Sequence, residues 1–305
     1  MRLLRPRRNS SRIKEHPVSI HPLAHVSPRA EIDSGVEIGP FCIIEDDTCI
    51  GPGCILESRV TIKSGVTLGP NNRVCEGTVL GGFPQHVHWS ESPGRVVIGA
   101  NNTIRENVTI HRPLKPDRQT VVGDHNLLMV GAHIAHDCTI GNHCIITNNV
   151  LLAGHVTVAD RAYLSGAAAV HQFCRIGTLA MVGGQAHITR DVPPYVTIDG
   201  LSSLVVGLNQ VGLRRAGYTT AQVAQLKAAY RAIYRSGLSW REILDVLRTE
   251  FATGPAAEFL PFLEATTRGI VTERRGPPQA TIKLRVEADA EGETAARPEL
   301  RARCA

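Results

Sequence analysis

Aliphatic residues return every sixth position along most of this chain. Counting from Ile20, the register visits Val26, Ile32, Ile38, Ile44, Ile50, Leu56, Ile62, Leu68, Val74 and Leu80. It reappears at Ile98, Ile104 and Ile110, then runs unbroken from Val122 to Ile188. Only His86, Ser92 and Pro116 interrupt it. Glycine often follows the aliphatic residue, as at Gly39, Gly51, Gly69, Gly99, Gly141, Gly177 and Gly183. A side chain without Cβ suits the corner that a very short strand must turn. Cys42, Cys54, Cys138, Cys144 and Cys174 each stand two residues before an aliphatic position. That phase asks for a small inward residue, and a thiol serves as a small hydrophobe. The period predicts a parallel β-helix, with three hexapeptides forming one triangular coil of about 18 residues. Successive coils stack at about 4.8 Å.

Two segments leave the register and re-enter it in phase, residues 81–97 (GGFPQHVHWSESPGRVV) and 111–120 (HRPLKPDRQT). They read as loops carried by an intact prism, and loops on rigid scaffolds often carry function. The prism is expected over residues 18–203. After DVPPYV the period becomes helical, with Val223, Leu226, Tyr230, Ile233 and Tyr234 on one face. Thr219 or Thr220 can cap that helix and Gly237 can end it. SWRE, Ser239 to Glu242, fits a capping box for the next helix, and GPAAEFLPFLEATTRG supplies one more. A helical domain is therefore expected over 204–271, flanked by a flexible basic extension (1–17) and a disordered tail (272–305).

Composition narrows the picture. Aromatic residues make up only 4% of the chain against 43% hydrophobic residues, so the core is built from small aliphatics. The formal charge of +5 is mild and is concentrated in MRLLRPRRNSSR. No aromatic-interleaved basic patch supports nucleic-acid binding. No apolar run approaches the roughly 20 residues of a transmembrane segment. Eight cysteines occur without a C-x-x-C pair, which argues against zinc ribbons and suits a reducing, cytoplasmic compartment.

The stretch GAHIAHDCTI, Gly131 to Ile140, holds the candidate chemistry. With a coil of about 18 residues, His136, His155 and His171 fall on successive coils, with His133 beside His136. Asp137 is placed to orient an imidazole. Gly154, in AGHV, offers a bare amide to a reacting oxygen. A neutral imidazole suits a general base near pH 7. Two chemistries compete: acyl transfer with His136 as base, and zinc-dependent hydration as in left-handed β-helix carbonic anhydrases. In that family one subunit gives two histidines separated by four residues. The close pair here is H-x-x-H, and that spacing argues against a metal.

The hexapeptide pattern resembles the left-handed class of β-helix, whose members commonly assemble as trimers. A more specific resemblance follows from HIAHDCTIGNHC, NNVLLAGHVTV, AVHQFCRIG, RDVPPYV and GLNQVGLRRAG, in that order. IRENVTIHR, AYRAIYRSG and TTRGI extend it, so that it covers about Ile20 to Arg274. The chain resembles the UDP-N-acetylglucosamine O-acyltransferase family of lipid A biosynthesis. The resemblance implies transfer of a (3-hydroxy)acyl chain from acyl carrier protein to the sugar 3-position, without a cofactor or metal, by a homotrimer. It implies that His136 is the base, Asp137 its partner and Gly154 the oxyanion donor. It places Gln85, His88, His133, His155, His171 and Gln172 along the sugar-nucleotide and acyl site. Asn209 and Arg215 then stand near the phosphates. Gly184 stands where the family gauges acyl length, and a basic surface including Arg214 receives the carrier.

Departures from the family pattern are confined to a few positions. The usual PQDLKY is PQHVHW here, Pro84 to Trp89, so an aspartate becomes His86 and a lysine becomes His88. An acidic residue of the nucleotide motif becomes Val211, and a second arginine becomes Ala216. These changes leave His136 untouched and bear on how the sugar and diphosphate are held. A 3-amino nucleotide sugar, or another close analogue, is the alternative acceptor.

Overall fold

The structure is a computed structural model that describes residues 17–88, 91 and 93–274. The expected basic extension and tail fall almost wholly on residues 1–16 and 275–305, and Trp89 on another gap; all lie outside the described residues, as does Cys304.

Short strands form three parallel sheets, the faces of a left-handed β-helix. The first sheet begins with Ser19–Ile20, the second with His25–Val26 and the third with Glu31–Ile32. Registers advance by one coil, as in Ile38↔Leu56, Ile44↔Ile62 and Ile140↔Val158. Where a loop intervenes, the step lengthens, as in Val74↔Ile104 and Ile104↔Leu128. His86, Ser92 and Pro116 lie inside these two loops, which explains why only they break the aliphatic register. Both loops are shorter than the sequence suggests. Strands Val79–Gly82, Arg95–Ile98, Thr109–His111 and Gln119–Val122 reach into them from either end.

The sixth-position residues fill the prism, with Ile44, Ile62, Leu80, Ile110 and Leu152 fully buried. Truncating such a side chain costs about 2–5 kcal/mol. The cysteine phase is equally buried. Cys138 and Cys144 donate to the carbonyls of Ala153 and Ala159, and burial pushes both thiols up to about 12. They are packing residues. A buried asparagine ladder also runs up the prism: Asn72 accepts from the amide of Asn102, Asn102 from that of Asn126, and Asn126 from that of Cys144.

Strand Val205–Leu208 folds back antiparallel on Val196–Ile198 and closes the first sheet. Four helices follow: α1 (Gln210–Arg215), α2 (Thr220–Arg235), α3 (Trp240–Glu250) and α4 (Phe259–Glu264). Capping boxes start α2 at Thr219 with Gln222 and α3 at Ser239 with Glu242. Each cap contributes about 0.5–2 kcal/mol. Their apolar faces meet in a second core around Leu226, Leu247 and Phe259, which also takes in Leu179 and Tyr195 from the prism. The buried Asp191 ties the two parts together. It accepts from the Arg175 amide and guanidinium and from Thr266, while Arg175 reaches the Phe262 carbonyl at 2.6 Å.

Candidate active site

The corner between the second and third sheets carries the candidate residues. On successive coils it presents Asp46–Asp47, Ser64–Gly65, His136–Asp137, Gly154–His155 and Gln172–Phe173. Between Gly65 and His136 the same corner gives off both loops. The second residue of each tight turn adopts the left-handed backbone region: Asp137 at φ 60°, His155 at 61° and Phe173 at 65°. Such residues cost energy for a non-glycine and often mark functional sites. Here the turn repeats at all three corners, so the conformation belongs to the fold.

His136 is buried, and its Nδ1 lies 2.8 Å from Asp137 Oδ2. A carboxylate can only accept, so Nδ1 carries the proton and Nε2 presents its lone pair. The carboxylate is itself fixed. Oδ2 also accepts from the Leu114 amide of the second loop at 3.0 Å, and the Asp137 amide donates to Thr120 Oγ1 at 2.9 Å. Gly154 lies against the imidazole. A Cβ there would stand 2.5 Å from His136 Nε2, so only glycine leaves the ring its place.

Other imidazoles frame His136. His155 meets the His136 ring edge-on at 5.1 Å and stacks on Phe173 at 4.5 Å. Burial holds it below the ordinary imidazole range, against the pull of Asp137. His133, on the outer face of the second sheet, bonds Thr109 Oγ1 at 2.7 Å through Nδ1. Burial, and secondarily His136, hold it low as well. Beneath it His111 makes an edge contact at 4.8 Å, and burial pushes its pKa down to about 4. From the first loop, His86 lies edge-on to His136 at 5.7 Å, and its Nδ1 accepts from the His88 amide.

The sequence-predicted residues thus divide into four groups. His133, His136, Asp137, Gly154 and His155 come together, with His86 and His88 above them. Gln85, His171 and Gln172 are exposed near the same corner, and His171 Nδ1 donates to the Gln172 carbonyl. The donor atoms of His136, Asp137 and His155 all lie within 4.8 Å of one another, and His171 is not part of that set. Gly184 sits at the next corner, between the first and second sheets. A Cβ there would be 3.3 Å from the Gly166 carbonyl. Between it and His136 the second sheet presents the column Thr109, His133, Leu151 and Ala169.

Asn209 and Arg215 lie elsewhere. With Val211 and Ala216 they line a cleft of about 730 Å³ between α1 and the first sheet. Asn209 caps α1, accepting from the Gly212 amide and donating to the Leu179 carbonyl, so both ends of its amide are engaged. In a three-faced prism the first sheet is opposite the corner between the other two. One chain therefore does not bring Arg215 to His136. Thr109, His111, Thr120 and Phe173 also contact the cluster without having been expected from residue type. The motif IRENVTIHR contains two of them, yet nothing in their types marks them as supports.

The bacterial transferase hexapeptide model matches residues 119–154, and the model for domain 2 of UDP N-acetylglucosamine O-acyltransferase matches 191–271. The acyl-[acyl-carrier-protein]–UDP-N-acetylglucosamine O-acyltransferase of Ectopseudomonas mendocina is 46% identical over 254 residues, covering 83% of this chain and 98% of that protein. The corresponding protein of Halorhodospira halophila is 42% identical with the same coverage. Among solved structures, LpxA from Acinetobacter baumannii superposes with a TM-score of 0.80 at 39% identity, covering 83% of this chain and 99% of that one. The UDP-N-acetylglucosamine acyltransferase of Francisella novicida gives 0.81 at 36% identity, with 83% and 94% covered. The chain belongs to the acyl-[acyl-carrier-protein]–UDP-N-acetylglucosamine O-acyltransferase family.

Proposed function

We propose that this protein transfers a (3-hydroxy)acyl chain from acyl carrier protein to the 3-hydroxyl of UDP-N-acetylglucosamine, the first step of lipid A biosynthesis, with His136 as general base. One observation carries the assignment of the base: Asp137 and Leu114 fix the His136 ring so that Nε2 faces the space beside Gly154. Nε2 takes the proton of the sugar 3-hydroxyl as its oxygen attacks the thioester carbonyl. The tetrahedral oxyanion is met by the Gly154 amide. Collapse breaks the carbon–sulfur bond, and the imidazolium returns its proton to the departing thiolate. His133 stays neutral, so it can donate one hydrogen bond to the substrate without adding a charge.

The acyl chain follows the second sheet past Leu151 and Ala169 toward Gly184, whose missing side chain leaves room for a longer tail. Gln85, His88, His171 and Gln172 border the sugar and acyl groups. Arg215 supplies charge to the diphosphate, and its position opposite the His136 corner means that a neighbouring subunit provides it. This supports a homotrimer with three shared clefts. Among the described residues no helix is long and apolar enough to cross a membrane. A cytoplasmic setting agrees with the carrier-bound donor. The exposed Arg214 belongs to the surface that receives the acidic carrier.

A second acceptor is favoured by one observation. His86 occupies the first loop directly above His136, where the family pattern has a carboxylate. A 3-amino nucleotide sugar would yield an amide by the same steps. The deciding experiment mixes the protein with UDP-N-acetylglucosamine, its 3-amino analogue and a ladder of acyl carrier protein thioesters, and reads products by mass spectrometry. An O-acylated sugar nucleotide supports the main reading, and an amide alone supports the second. No product from either acceptor overturns both.

A further inference from the structure

The base is surrounded by more metal-binding side chains than proton transfer requires. Two imidazoles and one carboxylate converge at the catalytic corner. His136 Nδ1 is 2.8 Å from Asp137 Oδ2, His155 Nε2 is 4.0 Å from the same oxygen, and the two rings stand at 87°. The three donors span at most 4.8 Å. A tetrahedral zinc shell, with bonds of about 2.0–2.2 Å, places its donors roughly 3.3 Å apart. Closing the widest span to that value takes an inward shift of His155 of about 1.5 Å. The His155 side chain is 34% exposed, at the edge of the cleft, which leaves it room to turn.

We propose that His136, Asp137 and His155 form an inhibitory site for a divalent transition-metal ion, which competes with the acceptor substrate. Imidazole and carboxylate donors select zinc, copper, nickel or cobalt over magnesium and calcium. Ligation requires unprotonated imidazoles. Binding at Nε2 of His136 takes the lone pair that accepts the substrate proton. Binding at Nδ1 replaces the hydrogen bond that orients the ring. Either mode disables the base, so the inhibition rests on the reading of His136 given above, whereas the metal site does not.

His86 gives this chain an additional donor. Its ring is 5.7 Å from that of His136, on an exposed loop. To reach the metal through Nδ1 it must give up its bond from the His88 amide. Its contribution is therefore smaller than that of His155. The substitution of a histidine for the family's aspartate exchanges one possible ligand for another, putting an imidazole, the donor that favours transition metals, within reach of the cluster.

The test titrates the full-length protein with Co²⁺ and follows the visible absorption, then measures turnover with Zn²⁺ before and after chelation. Wild type should bind one Co²⁺ per chain with a visible band. His155→Ala should weaken binding at least as much as the about 10–100-fold lost with an outer-shell partner. His86→Phe should weaken it less. Asp137→Asn serves as a second ligand variant if His155→Ala folds poorly. A Co²⁺ spectrum unchanged by both ligand variants, as would follow from binding at the exposed His125–His143 pair, overturns the site. Co²⁺ binding with turnover left intact by Zn²⁺ at sub-saturating acceptor overturns the inhibitory role, while turnover of His136→Ala reads the role of the base separately.

Discussion

Two corners of the prism each carry a pair of histidines one coil apart, and we propose only one of them as a catalytic site. At the corner between the third and first sheets, His125 and His143 stack face to face at 4.8 Å with an interplanar angle of 2°. Both are exposed. Acidic and amide side chains stand beside them, but all of these face the backbone. Asp124 accepts from the Ala100 amide, Asn142 from the Asp124 amide, and Asp160 from the Asn142 amide. At the corner between the second and third sheets, the order is reversed. Histidine precedes aspartate in His136–Asp137, whereas aspartate precedes histidine in Asp124–His125. That single inversion puts the carboxylate on the ring. Two loops then cover the pair and lower its exposure. The assignment of His136 as base rests on that difference: an acid fixes its tautomer and neighbours bury it, and neither holds for His125.

The largest expected difference between the corners is kinetic. His136→Ala should lower kcat by about 10²–10⁴, with fold and nucleotide binding retained, while His125→Ala leaves kcat within twofold of wild type. Steady-state assays of both variants read this directly. Equal losses would abolish the distinction drawn between the corners.

The second difference is in acid stability. His111 is held near pKa 4, below the ordinary imidazole value of about 6.5, because burial penalises its charged form. The native state therefore binds fewer protons than the unfolded chain between these values. The stability linked to this group is fully present above about pH 6.5 and is lost as pH falls toward 4. The shift corresponds to on the order of 3 kcal/mol. His111→Gln should flatten this acid limb in denaturant titrations at stepped pH. A limb of unchanged slope would mean that His111 is charged in the native protein, or not buried.

Gly154→Ala sharpens the steric side of the comparison. The added Cβ meets the His136 ring, an overpacking of about 1–3 kcal/mol. Because the amide N–H survives, a fall of roughly 5- to 150-fold in kcat would report displacement of the base, by the same 1–3 kcal/mol. Unchanged kcat would show that the ring can move aside and still act.

Much of the fold was legible because the period is a direct record of burial. Each sixth position within the prism is filled by an aliphatic residue, and the three that break the register fall in the sequence of the loops. The supports of the site were less legible. Thr109, Thr120 and the Leu114 amide act through distances set by stacked coils and a returning loop, and their residue types occur throughout the chain. The separation of Asn209 and Arg215 from His136 was equally hidden. Spacing along the chain gives the coil, but which of three corners a residue occupies depends on how many hexapeptides the loops replace.

The smallest effect concerns Gly184, where the second sheet leads away from the base. Met at this position would place a side chain beyond the Gly166 carbonyl, at the far end of the Leu151 and Ala169 path. One methylene in an apolar pocket is worth about 1–3 kcal/mol of discrimination. Gly184→Met should therefore shift the preferred acyl chain toward shorter lengths, leaving the turnover of short thioesters near wild type. Competition among thioesters of graded length, read by mass spectrometry, measures the shift. A profile unchanged in Gly184→Met would place the acyl tail on another face. The second sheet would then connect the two corners in sequence register only, and the His136 corner would have to hold its donor from the cleft side.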